Sequence, residues 1–261
     1  MIRSLYTAAT GMDAQSLKMD VISNNLANSS TAGFKKVRAE FEDLLSETIR
    51  GAEAPDPRGG TAPTPLQVGL GVRTGTTSRA FAQGELTATQ GPLDLAIEGD
   101  GFFRVQRPDG TFGYTRAGNF RVDATGRVVT SHGELLDPEI NVPAETISLT
   151  IQADGTVSAR VAGRDLPEVL GQLELVRFPN PGGLEAIGGN LFIETPGSGN
   201  PIGSRPGEQG AGSISQGYLE GANVKAVEEM IEMISTQRAY ELNSKVVQTA
   251  DQMLQRLTSL R

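Results

Sequence analysis

The sequence has no cysteine, no tryptophan, a single histidine (His132) and 5% aromatic residues. Without cysteine there are no disulfides, thiolate metal sites or cysteine nucleophiles. A lone histidine next to Gly133 at an expected turn has no partner set for zinc and reads as a turn residue. No Gly-Lys-Ser/Thr is present, so a P-loop is excluded, and no serine sits in a G-x-S-x-G elbow. "GLGVRTG" and "GDGFFR" lack the third glycine of a dinucleotide fingerprint, and no D-x-D-x-D-G calcium loop occurs. Carboxylate pairs such as Asp94/Glu98 and Glu98/Asp100 read as solvated groups of an acidic domain rather than glycosidase acids. The sequence therefore nominates no catalytic, cofactor-binding or metal-ligating residue.

Long apolar runs are also missing. Nothing approaches the roughly 20 apolar residues that span a bilayer, so membrane insertion is not expected. The opening "MIRSLYTAATGMDAQSLKMD" has no apolar stretch of signal-peptide length. By itself this points to the cytoplasm.

Proline is absent from both ends. All 14 prolines lie between Pro55 and Pro206, only Gly11 and Gly33 precede residue 46, and no glycine follows Gly221. The ends permit helices and the middle is rich in turns. Charge divides the same way. Residues 1 to 45 and 222 to 261 are each net neutral, so the net charge of −8 sits in residues 46 to 221. An acidic body between neutral ends excludes the basic face that a nucleic-acid partner requires, whereas neutral ends can approach copies of themselves.

In the first segment Leu5, Ala8, Met12, Gln15, Met19, Ile22 and Leu26 alternate spacings of three and four, one narrow seam of a helix about 25 residues long. Asn28 is its expected C-cap. The last segment carries Val224, Val227, Ile231 and Ile234 on one seam. Leu242, Val246, Met253 and Leu260 lie on another, after a slip near Gln237. Asn223 is the expected N-cap. Stripes like these serve either as the core of one compact body or as assembly faces between chains. Between the helices, "VRAEFEDLLSETIR" (37 to 50) has helical spacing, and 51 to 65 is a Pro/Gly-rich linker or extended stretch. From Leu66 on, short strand-like runs alternate with Asp-Gly turns at Asp109-Gly110, Asp123 to Gly126 and Asp154-Gly155. The expected fold class is α+β: coiled-coil-like N- and C-terminal helices plus a central, mainly antiparallel β domain. The expected division is 1–33 with 222–261 as the helical ends, 34–75 as a connecting segment and 76–221 as the β domain.

Three stretches carry a resemblance. "NNLANSSTAGFKK" (24 to 36), with Asn24, Asn25, Asn28, Gly33, Phe34 and Lys35, resembles the N-terminal signature of the axial rod and hook proteins of the bacterial flagellum. The stretch from Gly91 to Leu136, with Gly101 and Phe102, is similar to that family's central signature. The stretch from Gln216 to Leu254, with Arg238 and Tyr240, is similar to its C-terminal one. Size, "FEDLLSETIR" and "PLQVGLGVRTG" lie nearest the distal rod class of the family. The resemblance implies a structural subunit, without enzymatic activity or cofactor, of a hollow helical shaft that carries torque from motor to hook. Its terminal helices would form an inner tube and its β domain an outer layer. Subunits would meet through Leu5, Met12, Met19, Ile22 and Leu26 of the first helix. From the last helix, Val227, Ile231, Ile234, Leu242, Val246, Met253 and Leu260 would take part. Implied partners are other copies of the chain, other rod proteins and the hook protein at its ends, the surrounding basal-body ring, and the flagellar type III export apparatus. Such export implies a place spanning the periplasm without a cleaved signal. A proximal rod or hook subunit, or a secreted β-domain enzyme or adhesin, are the other readings.

Overall fold

The computed structural model describes residues 2–51, 64–164 and 166–259. The proline-rich stretch 51–65 therefore lies, apart from its ends, outside the described residues, as does Leu260. The chain divides into two compact units. One is built from residues of the two terminal segments and from Val37–Ser78, the other from Asn28–Lys36 and Arg79–Val224.

In the first unit, helices α1 (Ile2–Ala27) and α2 (Ala226–Ser259) form an antiparallel pair. Near one end Asn25 Nδ2 donates to Glu229 Oε2 at 3.1 Å. Further along, Gly11 faces Asn243 so closely that a Cβ on Gly11 would lie 2.9 Å from the Asn243 amide nitrogen. Helix α2 carries Glu228 and Glu229 in its first turn and Arg256 in its last, which suits the helix dipole. The expected N-cap, Asn223, has another role. The Glu229 amide donates to the Lys225 carbonyl, so the helix starts after Asn223. The Asn223 amide instead donates to the Ala80 and Ala82 carbonyls. Asn28 directly follows the last residue of α1, and its carbonyl accepts from the Thr31 amide; the left-handed residue of the stretch, Gly33, comes five residues later.

The stretch 37 to 50, with its helical spacing, is extended. Strand β1 (Val37–Asp43) pairs with β4 (Val72–Arg79), and β2 (Glu47–Arg50) pairs with β3 (Leu66–Val68). Val37, Ala39 and Phe41 are half-buried while Arg38, Glu40 and Glu42 are exposed. That two-residue alternation coexists in the sequence with the helical spacing, and it prevails because β4 supplies partners. Arg73 forks onto Glu42 at 2.6 and 2.9 Å, and Ser78 donates to Glu40 at 2.5 Å.

The second unit is an antiparallel β body, as its turns foretold. Its early strands are β5 (Leu86–Ala88), β6 (Leu95–Glu98), β7 (Phe102–Gln106), β8 (Phe112–Thr115), β9 (Arg121–Val122), β10 (Val128–Val129) and β11 (Leu135–Asp137). A three-stranded meander follows, β12 (Thr146–Ile151), β13 (Thr156–Val161) and β14 (Glu168–Gln172). The rest are β15 (Leu175–Arg177), β16 (Glu185–Gly188), β17 (Leu191–Ile193), β18 (Ile202–Ser204), β19 (Ser213–Gln216) and β20 (Tyr218–Glu220). Among the described residues, the main sheet has nine strands with β7 at its centre, flanked by β8, β11 and β15. Aliphatic side chains such as Ile97, Val105, Leu136, Val157 and Leu175 fill one core. A second cluster is aromatic: Phe81, Phe102, Tyr114, Phe178 and Phe192 meet edge to face at 4.8 to 6.2 Å.

The Asp-Gly turns close as expected. Asp109, Asp123 and Asp154 each accept, through Oδ1, the amide two residues on, at 2.8 to 2.9 Å. His132 lies exposed in a turn between β10 and β11.

Candidate functional site

The long apolar stripes divide unequally between the two helices. On α1, Ile22 is buried and Leu5, Met12, Met19 and Leu26 are half-buried, so that seam is largely covered by the chain itself. On α2 the division is different. The covered face runs through Glu229, Met233, Thr236, Asn243, Val247, Ala250 and Leu254, mostly in steps of three and four, and mixes polar or small residues with apolar ones. Most of the large apolar residues point the other way. Val227, Ile231, Ile234 and Leu242 are 66, 62, 52 and 65% exposed, and Val246 and Met253 are each 46% exposed. Met230, not singled out in the sequence, extends this face at its beginning. At 100° per residue these side chains fall within one arc of the helix. A single exposed leucine needs no explanation, but a stripe of apolar side chains running most of a 34-residue helix marks an interaction surface.

Within that stripe Arg238 lies between Ile234 and Leu242, and its charge has no ion-pair partner among the described residues. Tyr240 is partly exposed on the same helix.

Asn25 ties the first unit together. Its amide copies the edge of a strand: Nδ2 donates to the Val37 carbonyl at 2.8 Å, and Oδ1 accepts from the Val37 amide at 3.0 Å. The same Nδ2 reaches Glu229, so one side chain joins α1, β1 and α2. Asn24 is exposed on the helix, and the Asn28 side chain accepts from the Thr31 hydroxyl at 3.2 Å.

The end of the same stretch anchors in the second unit. Lys35 is fully buried, with its ammonium 2.6 Å from Glu220 Oε1 and donating to the Ala82 carbonyl at 2.8 Å. Glu220 Oε1 also accepts from the Gly84 amide at 2.9 Å, and the Arg116 guanidinium stands 3.3 Å from Oε2. Arg116 is itself buried and donates to the Gly99 carbonyl at 2.8 Å. One carboxylate thus serves two cations. Burial holds the Lys35 ammonium below its usual pKa, and the attraction of Glu220 works against that shift.

Gly33 makes this approach possible. At φ +71° its amide donates to the Glu220 carbonyl at 2.8 Å, and a Cβ there would lie 2.5 Å from the Ala117 backbone nitrogen. Phe34 is buried beneath the Arg79 guanidinium, 6.0 Å from its ring centre. Gly101 sits against the Leu175 side chain, and Phe102 belongs to the aromatic cluster. Sequence reading missed Glu220 and Arg116. Nothing local separates Glu220 from the other carboxylates, and the only signal was its place in "QGYLEG".

Comparison with known proteins separates rod from hook. Residues 5–35 match the family described as flagella basal body rod protein. Residues 96–159 match the flagellar hook protein FlgE/F/G D1 domain, and residues 215–260 the flagellar basal body rod FlgEFG protein C-terminal family. The flagellar basal-body rod protein FlgG of Buchnera aphidicola subsp. Schizaphis graminum is 50% identical over 260 residues, covering all of both chains. That of Caulobacter vibrioides is 48% identical over 261 residues, again end to end. The flagellar hook protein FlgE of Helicobacter mustelae is 44% identical over only 134 residues, 51% of this chain and 30% of its own length. The chain belongs to the FlgG family of flagellar basal-body rod proteins. It is a structural subunit of the distal rod of the basal body.

Within this rod family the buried cluster gains a meaning. Lys35 closes the N-terminal matched segment and Glu220 lies near the start of the C-terminal one. Two signatures 185 residues apart are joined by one buried ion pair. No helix among the described residues is long and apolar enough to cross a membrane.

Proposed function

We propose that the chain polymerises with copies of itself into a hollow helical shaft that transmits torque from motor to hook, and that it has no catalytic role. The observation that carries this reading is the exposed apolar face of α2. Val227, Ile231, Ile234, Leu242, Val246 and Met253 are left uncovered by the chain's own fold, and Leu242, Val246 and Met253 line an open apolar groove with Ser4 and Thr249. Burying such side chains yields about 1.5–3 kcal/mol each, repeated at every subunit. In this reading the helical ends, 1–33 and 222–261, line the inner tube, 34–75 connects, and 76–221 forms the outer layer. Stretch 24–36 carries the chain from one to the other. Other rod proteins and the hook protein cap the shaft's two ends, and the basal-body ring surrounds it. The chain crosses the inner membrane through the flagellar type III apparatus and works in the periplasm, where a cysteine-free sequence is well suited.

The test is Val246→Asp. A carboxylate forced into an apolar contact costs several kcal/mol at each interface, while the β body never depends on that side chain. Cells carrying the variant should export a chain with an intact β body and make no rods. Normal rods from Val246→Asp would refute the assignment of this face.

A further inference from the structure

Helix α1 also has an uncovered face, and it differs in kind from that of α2. Tyr6, Ala9, Asp13, Ser16, Asp20, Ser23 and Ala27 are all exposed and follow one another in steps of three and four. Apart from Tyr6 this face is small or acidic. Asp13 and Asp20 stand seven residues apart, about 10 Å along the axis, and neither has an ion-pair partner among the described residues. On α2 the cations inside the apolar stripe, Arg238 and Lys245, are also seven apart and also without an ion-pair partner among the described residues. Complementary charge at equal spacing is matched by complementary size, with large side chains on α2 and small ones on α1.

We propose that the outer face of α2 on one copy seats antiparallel on the outer face of α1 on the next, with Arg238 against Asp20 and Lys245 against Asp13. This rests on the polymer reading above and specifies which surface receives the α2 stripe. Copies in a helical shaft all point the same way along its axis, so α1 of one and α2 of its neighbour run in opposite directions, as they do within a chain. The register that pairs the charges also lays Ile231 on Ala27 and Leu242 on Ser16, a large side chain over a small one at both positions. The alternative, α2 against α2 of a second copy, sets Arg238 and Lys245 against their own kind. It is also a twofold contact that closes as a dimer, whereas a head-to-tail contact continues indefinitely. Exposed ion pairs add little affinity, but at fixed spacing they select register and partner.

Two experiments decide it. Arg238→Glu with Lys245→Glu should abolish rods, and adding Asp13→Lys with Asp20→Lys to the same chain should restore them. Rods unaffected by the first pair would overturn the pairing. The absence of native cysteine allows a second test. Ser16→Cys chains and Leu242→Cys chains, co-assembled with the unmodified chain and mildly oxidised, should yield a disulfide-linked dimer of the two variants. Assembled rods that contain both and give no such dimer overturn the proposal, whatever the charge variants do. If Val246→Asp abolishes rods while this cross-link is missing, only the pairing falls. If Val246→Asp assembles normally, the underlying reading falls with it.

Discussion

Glu220 should be the most sensitive polar residue of the β body, and the two cations it serves should not be equally costly to lose. The carboxylate is fully buried and holds Lys35 at 2.6 Å and Arg116 at 3.3 Å, with the Gly84 amide as a further donor. Glu220→Gln keeps the shape but leaves two buried cations facing a neutral amide. Removing one partner of a buried ion pair costs about 3–5 kcal/mol. Lys35→Met leaves Glu220 paired one-to-one with Arg116 and loses mainly two hydrogen bonds, about 1–3 kcal/mol. The Lys35 ammonium can also shed its proton more readily than an exposed lysine, because burial already depresses its pKa. That limits the loss in Glu220→Gln without removing it, since Arg116 cannot follow. In a domain of this size 1 kcal/mol moves Tm by about 2–4 °C, so Glu220→Gln should lower the melting temperature of the β body by roughly 6–20 °C. Lys35→Met should lower it by distinctly less. Thermal unfolding followed by the near-ultraviolet signal of buried Tyr114 reads this body directly. Equal losses, or the larger one in Lys35→Met, would refute the view that one carboxylate organises both cations.

Gly33→Ala combines a left-handed backbone, costing about 1–3 kcal/mol, with a Cβ 2.5 Å from the Ala117 backbone nitrogen; denaturant unfolding should show at least that loss, and a neutral result would mean the turn is not rigidly held. Asn25→Asp sets a second carboxylate beside Glu229 and removes the donor that now reaches it at 3.1 Å and the Val37 carbonyl at 2.8 Å, so protection factors of amides in α1 and β1 should fall relative to the unmodified chain at the same pH; unchanged protection would sink this. The carboxyls of Asp123 and Asp109 are held below the usual range chiefly by hydrogen bonds from the Thr125 and Thr111 side chains, and that of Asp154 chiefly by the Thr156 amide. Their folded pKa values lie below the unfolded ones, so the stability they add is present above about pH 4 and fades as the pH falls through that value toward the folded pKa. Asp123→Asn should flatten the acid limb of the unfolding curve, and an unchanged limb would count against the turn's share.

What the sequence made legible were features set by local chemistry. Proline and glycine placement marked the helical ends, and the Asp-Gly turns marked the β hairpins, because each depends on backbone conformations available to few residue types. Stretch 37–50 misled because Val37 and Phe41 suit a helical face, while Val37, Ala39 and Phe41 also suit a strand, and only β4, some 30 residues on, decides between them. The expected N-cap differs for a related reason. Asn223 has the right chemistry for a helix start, but tertiary partners claim its side-chain amide instead. Glu220 and Arg116 were invisible because a buried charge is made by its surroundings, and those surroundings come from residues 35, 84, 99 and 220.

The α2 helix shows where pattern and physics part. An apolar stripe in a sequence tells which side chains avoid water in the working state, not which ones a single chain covers. Within one chain α2 turns Glu229, Thr236, Asn243 and Ala250 inward, with Asn25 meeting the buried carboxylate and Gly11 making room for Asn243. A mixed, close-fitting contact of this kind fixes register and still leaves most of the large apolar side chains of α2 uncovered. In the proposed assembly, burial of those side chains supplies further stability. If α2 had instead spent Ile231, Ile234 and Leu242 against α1, the pair would be more stable alone and would have nothing left to offer a neighbour. The uncovered apolar face of α2 is therefore what the proposed assembly needs: a surface that a neighbouring copy can cover.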